Sequence, residues 1–357
     1  MKKILLIWFL LNTLILYADE SFFYKKDNLH AFLPKVDSTQ ISVTFQKVNE
    51  TIDIFNIKES EFSSSTKNFD SLGDMEGLDL NLGYTFNNQW YLNLDLNKKD
   101  IQYSSTTLTN KNLDIYLRYQ VYEDLNKAFA IDVGYETNRA DDTYMRSLDV
   151  INQGIKNIFS YGNLHVSKKN DVYSLVSENG QTLKLKNKPY ISMINTKDNS
   201  FYLRLIGSLK GESWLLDTYL GYTNVKIRNE IDSSILHEDN YLLQQASRNI
   251  DLVQKRTDDM ISLGFGVTYQ IYTNWYTELN YQYNRIFRTK SLDETNMNHI
   301  FDLNFIYEVN SNTSLYIGGK LMTNQFNGEI PYLYGEYTDT SFDHKYGFAN
   351  IGFNYNF

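Results

Sequence analysis

The groups with the most chemical potential in this sequence are carboxylates placed at every second position of otherwise apolar runs. Asp79 stands in Leu78-Asp79-Leu80-Asn81-Leu82, and Asp95 in Leu92-Asn93-Leu94-Asp95-Leu96. A period of two puts charged and apolar groups on opposite faces of an extended chain. The same alternation through the later runs adds Asp114, Arg118, Asp132, Glu136, Arg204, Asp217, Glu278, Asp302, Glu308 and Lys320, with Asn81 and Asn280 beside them, giving nine acids against three bases. Unpaired charge cannot face lipid cheaply, so these groups must meet water or each other. Wet, they would line a cation-leaning pore. Dry, Arg118, Arg204 and Lys320 would tie the acids into a filled interior.

Signals for catalysis are sparse. The chain holds five histidines, His30, His165, His237, His299 and His344. In His165-Val166-Ser167 an imidazole and a hydroxyl share one face if extended, the minimum for a serine nucleophile and its base. No Asn-Gly surround for an oxyanion site accompanies it, and no serine stands two residues from His299. Asp141-Asp142 and Asp258-Asp259 lack the ligand spacing of a calcium loop and read as turn residues. GxGxxG, P-loop and HExxH motifs are absent, so no catalytic residue, metal or cofactor is expected.

The elements that must carry the alternating charges are strands. Twelve period-two runs fall near 39–48, 75–86, 89–99, 111–122, 126–137, 199–209, 213–226, 258–270, 273–287, 298–309, 312–324 and 344–357. Each has about the 9–11 residues, or slightly more, that a tilted transmembrane strand requires. Short links at 87–88, 123–125, 210–212, 271–272 and 310–311 alternate with long ones at 49–74, 100–110, 138–198, 227–257, 288–297 and 325–343. Short turns at one end and long loops at the other are the plan of an up-and-down barrel in a membrane. Segment 138–198 contains a helix-like stretch, Tyr144 to Phe159, and a hairpin around Glu178-Asn179-Gly180; that hairpin entering the wall would make fourteen strands. Trp90, Trp214 and Trp275 each follow a short link with outward parity, as in an interfacial girdle.

Met1-Lys2-Lys3, an apolar run from Ile4 to Leu16 and Ala18 before Asp19 read as a signal peptide over 1–18. Residues 19–38 then form an N-terminal periplasmic segment that either trails or tucks into the barrel mouth, and 39–357 the barrel. With 357 residues, a formal net charge of −9, 15% aromatics and no cysteine, the chain is neither a disulfide scaffold nor a thiolate metal protein. Its acidity and lack of a basic tract argue against nucleic acid as a partner.

The chain ends Ile351-Gly352-Phe353-Asn354-Tyr355-Asn356-Phe357. Here, and in the architecture of 39–357, it resembles the bacterial outer-membrane β-barrel proteins, porin-like members included. The resemblance implies an all-β up-and-down barrel in the outer membrane, reached through the periplasm. Phe353, Tyr355 and Phe357 would be the signal read by the insertion machinery. The expected function is a passive channel for small polar solutes; a lipid hydrolase of the phospholipase or lipid A deacylase kind and a surface adhesin or structural barrel are the alternatives. Following outward parity to the loop ends gives Lys47, Lys98, Arg139, Lys226 and Arg285, an expected collar for lipopolysaccharide phosphates.

Overall fold

A computed structural model describes residues 30–49, 51–53, 72–103, 106–148, 151–152, 154–155, 164–238, 252–288, 296–334 and 344–357; the expected signal peptide lies outside them. The alternating runs are extended, since a strand offers two faces with a period of two. In chain order the first strands are β1 (Thr39–Val48), β2 (Met75–Asn87), β3 (Trp90–Tyr103), β4 (Thr106–Glu123), β5 (Lys127–Ala140), β6 (Thr143–Met145), β7 (His165–Lys169) and β8 (Val172–Val176). They are followed by β9 (Thr182–Lys184), β10 (Ile191–Lys210), β11 (Trp214–Ser233), β12 (Val253–Tyr272), β13 (Trp275–Arg288), β14 (Met297–Asn310), β15 (Thr313–Met322) and β16 (Tyr346–Asn356).

Twelve of these, β1 to β5 and β10 to β16, pair antiparallel in sequence order, and β16 pairs back onto β1. The expected twelve-stranded barrel is therefore closed, with no free edge in its wall. Followed one way from Phe45, through Leu78, Lys98, Lys111, Arg139, Lys197 and Arg228, the register reaches Lys255. Followed the other way, through Ile351, Ile317, Phe305 and Thr277, it reaches Tyr269. That offset of fourteen residues along β12 is the stagger of a wall whose strands are inclined by about 35–45°.

Five links of two or three residues gather at one end, hereafter the turn end. Side chains close three of them: Asn87 Oδ1 accepts from the Gln89 amide at 2.8 Å, Asp124 Oδ1 from Asn126 at 2.9 Å, and Asn310 Oδ1 from Asn312 at 2.9 Å. An Asn or Asp that bonds its own backbone two residues on makes a tight turn. Trp90, Trp214 and Trp275 open strands beside these turns, and Trp90 and Trp275 lie against Tyr119 and Tyr307 with ring centroids 4.7 and 4.8 Å apart. Above them the outer face is apolar and exposed, with Leu117, Val133, Leu203, Leu220, Leu263, Leu303 and Ile317 on successive parts of the wall. Phe353, Tyr355 and Phe357 share that outer face.

At the loop end the sequence reading needs correction. The expected long link 100–110 is consumed by strand, for Ile101 pairs with Leu108 and Tyr103 with Thr106, leaving only 104–105 between β3 and β4. The reason is packing: Ile101 and Leu108 are buried in an apolar cluster at this end of the barrel. The expected loop 138–198 likewise shrinks, because β5 runs to Ala140 and β10 begins at Ile191. Its hairpin does not enter the wall. β7, β8 and β9 form a separate three-stranded sheet turning at Asn170-Asp171, both with positive φ, and again at Ser177–Gln181, where Gly180 has φ 74°. In the helix-like stretch Tyr144 and Met145 belong to β6, and the positions described between 148 and 155 are helical. His165 and Ser167 sit on β7, outside the wall.

Candidate functional site: a stoppered polar chamber

The interior is built in three storeys. At the turn end, residues 30–33 of the N-terminal segment enter the barrel, so the segment tucks in over its described part. Ala31 and Phe32 pack with Ala128, Ala130, Ile206, Leu215, Tyr276, Ile306 and Tyr316, and Leu33 with Tyr91, Tyr116 and Tyr202. Gly134 makes room for this, since a Cβ there would overlap the Tyr202 ring. Polar bonds hold the backbone of the insert. The Ala31 amide donates to Ser208 Oγ at 2.6 Å, Gln120 Nε2 donates to the Ala31 carbonyl at 3.0 Å, and Arg118 Nη1 donates to the His30 carbonyl at 2.6 Å.

Arg118 is the anchor of this storey. It is 2% exposed and forks onto Asp132, itself fully buried, through Nε at 2.7 Å and Nη2 at 2.9 Å. Arg204 approaches the same carboxylate at 3.4 Å and lies over the rings of Tyr202 and Tyr116. Burial, with Arg118 alongside, pushes the His30 imidazole down to about 3, so it sits in the plug uncharged.

The middle storey is a cavity of about 390 Å³. Of the twelve residues expected to face a lumen, eight line it: Asp79, Asp95, Asp114, Glu136, Arg204, Asp217, Asp302 and Lys320. Asp95, Asp114 and Glu136 stand directly opposite one another on β3, β4 and β5. Side-chain amides share out their charge, Asn97 donating to Asp79 at 3.0 Å, Asn81 to Asp95 at 3.3 Å and Asn112 to Glu136 at 2.7 Å. Arg118 and Asp132 belong instead to the plug storey. Glu278 and Glu308 are buried outside the chamber lining, the first accepting from Asn304 at 3.0 Å and the second from Tyr276 of the plug storey at 2.8 Å. Inward parity was thus a guide to direction but not to wetness. Two charged lining residues escaped the sequence reading, Lys99 and Glu329. Lys99 continues the odd-numbered inward series of β3, a signal that was present; Glu329 lies in a loop with no period.

That loop makes the third storey. After β15 the chain turns back into the mouth, and Phe326, Ile330, Tyr332, Leu333 and Tyr334 pack, almost fully buried, against Val48, Met75, Ile101, Leu108, Val225, Ile300 and Phe348 from around the wall. The cap is pinned on many sides. Asn229 donates to the Tyr332 carbonyl at 2.8 Å, Arg256 to the Pro331 carbonyl at 3.0 Å, Asn298 to the Asn327 carbonyl at 2.9 Å, and Tyr332 to Asn110 at 2.9 Å. Lys320 donates to Glu329 at 2.7 Å. Burial works to raise the Glu329 carboxyl, but Lys320 and Lys99 outweigh it and hold it below the usual carboxylate value.

Elsewhere the acid pairs singled out in the sequence are engaged: Asp141 by Lys111, Asp258 by Arg256, and Asp259 by Tyr222 and Asn224. The five expected rim bases stand on outward positions near the loop end. Lys47 pairs with Glu76, Lys98 with Asp100 at 2.7 Å, and Arg285 donates to Asn296 at 2.7 Å.

No family model and no curated protein matches this chain. Among solved structures it is similar to the translocator domain of autotransporter NalP from Neisseria meningitidis, with a TM-score of 0.49, 7% identity, and coverage of 91% of this chain and 90% of that one. The NanC porin gives 0.41, 8%, 89% and 98% in the same order. The TodX monoaromatic hydrocarbon channel gives 0.45, 10%, 91% and 91%. Likenesses this remote carry no argument about activity. What the chain's own strand register establishes is a closed, twelve-stranded antiparallel barrel, the architecture of the outer-membrane class that its sequence resembles.

Proposed function

We propose that this protein is an outer-membrane channel for small polar solutes, leaning to cations, and that the structure is its closed form. One observation carries the reading: a hydrated-sized polar chamber lies inside a closed wall, between an apolar plug and an apolar cap. A barrel serving only as a scaffold has no need to keep such a space polar, since burying charge is costly unless water or a partner compensates it. The chamber presents seven acids, Asp79, Asp95, Asp114, Glu136, Asp217, Asp302 and Glu329, against the bases Lys99, Arg204 and Lys320. Apolar constrictions close a pore by excluding water, and Ala31, Phe32 and Leu33 at one end and Phe326, Ile330, Tyr332, Leu333 and Tyr334 at the other supply such side chains. The exposed apolar outer face supports insertion in the outer membrane.

Two expected results test the chemistry. Under a KCl gradient the reversal potential of the open channel takes the sign of cation preference, and neutralising Asp95 and Asp114 together moves it toward zero. Anion preference in the unmodified protein contradicts the reading.

The second concerns pH. Within the plug His30 titrates near 3, and once released it returns to about 6.5. The plugged state therefore binds fewer protons, and acidification favours release by about 1.4 kcal/mol per pH unit within that window. In the barrel that lacks the cap, open probability should rise as pH falls below about 6.5. In His30→Gln, which stays neutral, that rise should vanish; an unchanged pH response in His30→Gln assigns it to other groups.

A further inference from the structure

The outer face carries a second organised set of charges, distinct from the chamber. Lys98, Lys111, Arg139, Lys197, Arg228 and Lys255 stand directly opposite one another on β3, β4, β5, β10, β11 and β12. Like charges facing each other across strands destabilise a sheet, so six in succession are unexpected in a wall that has no use for them. Lys226 lies one outward position from Arg228 and faces Asn199. Local carboxylates compensate only part of this charge: Asp100 pairs with Lys98, Asp141 with Lys111, and Glu230 with Arg228. Among the described residues Arg139, Lys197 and Lys226 make no ion pair and no hydrogen bond through their side chains.

The position of the row relative to the apolar outer face is equally specific. Leu96 and Leu113 lie immediately below Lys98 and Lys111 on the same face. Thr137 separates Arg139 from Tyr135, Asn199 separates Lys197 from Phe201, and Lys226 and Asn224 separate Arg228 from Tyr222. The row thus climbs away from the apolar belt, as a ladder row must where strands are tilted. From β3 to β11, four strand spacings of about 4.8 Å at that tilt span on the order of 12 Å of height, so the row rises from the edge of the apolar belt toward and beyond the headgroups. On the far side of the barrel, β14, β15 and β16 present no Lys or Arg on outward positions. The bases do not form a uniform collar; Lys47 and Arg285 stand apart from the rest.

We infer that this one-sided row is a docking site for a phosphorylated lipid of the leaflet around the loop end, its phosphates received by Arg139, Lys197 and Lys226 and its acyl chains lying on the apolar face below. Arg139 offers a planar fork suited to two phosphate oxygens, and the two lysines add point charges on stems long enough to reach along apolar surface.

Native mass spectrometry of the folded, full-length protein tests this, with bis-phosphorylated lipid A, its dephosphorylated form and inorganic phosphate as three separate probes. The site predicts retention of the phosphorylated lipid at least about tenfold above the dephosphorylated one, the effect of about one charge-assisted hydrogen bond. Arg139→Gln with Lys197→Gln and Lys226→Gln should abolish that difference, while Lys197→Arg and Lys47→Gln should keep it. Folding of each variant is read from its heat-modifiable mobility, and the wild-type comparison needs no variant at all. Equal retention of the two lipids, an unchanged difference in the folded triple variant, or displacement of the lipid by equimolar inorganic phosphate overturns the assignment.

Discussion

A barrel freed of both stoppers is expected to carry a stable ohmic current at least about tenfold larger than that of the intact chain, whereas removal of either stopper alone should change the current far less. The argument is one of barriers in series. Deleting residues 30–33 removes the side chains that fill the space between Ile206, Leu215, Tyr276, Ile306 and Tyr316, yet leaves the cap in place. Replacing Asn324–Tyr334 by a short glycine and serine link removes Phe326, Ile330 and Tyr332 from the mouth, yet leaves the plug. Current through two constrictions in line is set by the tighter one, so the gain should be strongly non-additive. Planar-bilayer recordings of the four proteins measure it. A large current from either single deletion would mean that the other storey is no barrier.

Asp132→Asn is expected to be the most damaging single substitution in the interior. It leaves Arg118, 2% exposed, and Arg204 without the carboxylate that both approach. Breaking a buried pair by removing one partner costs about 3–5 kcal/mol, because the remaining charge has neither water nor a counter-ion. The shift in the urea midpoint of the heat-modifiable, folded barrel reports the cost. Since replacing a buried pair with apolar groups is often close to neutral, Arg118→Met combined with Asp132→Leu should recover most of the loss. In the barrel that lacks the cap, the paired variant should also open more readily, as the bond from Arg118 to the His30 carbonyl is gone. An Asp132→Asn barrel as stable as the parent would show that water reaches Arg118 and that the plug storey is wet.

Much of the wall was legible in the sequence for a simple reason. A period of two can be counted, and Asn or Asp at the first position of a tight turn marks where it reverses, as at Asn87, Asp124 and Asn310. The direction of each lumen residue followed from the same count. Strand lengths at the loop end were less legible, because Ile101, Leu108 and Ile227, which lie beyond the expected strand ends, are buried in the cluster that the cap completes. The stoppers were hardest to foresee. Ala31-Phe32-Leu33 and the apolar cluster from Phe326 to Tyr334 are unusual in segments expected to be wet, and that anomaly was the available signal. Which wall receives them depends on residues from nearly every strand, which no local pattern encodes. The basic row needed the register itself, since Lys98, Lys111, Arg139, Lys197 and Arg228 are far apart in sequence and become neighbours only across the sheet.

The central claim is that ions cross through the acidic chamber, and the lack of native cysteine allows it to be tested at single positions. In the barrel without stoppers, Asp95→Cys places a thiol on the chamber wall, and Leu94→Cys places one on the outer face of the same strand. A membrane-impermeant, positively charged thiosulfonate added during bilayer recording should reduce the current of the Asp95→Cys barrel in a stepwise, irreversible manner and leave the Leu94→Cys barrel unaffected. An unblocked current at Asp95→Cys, or no current at all, would contradict the chamber as the path.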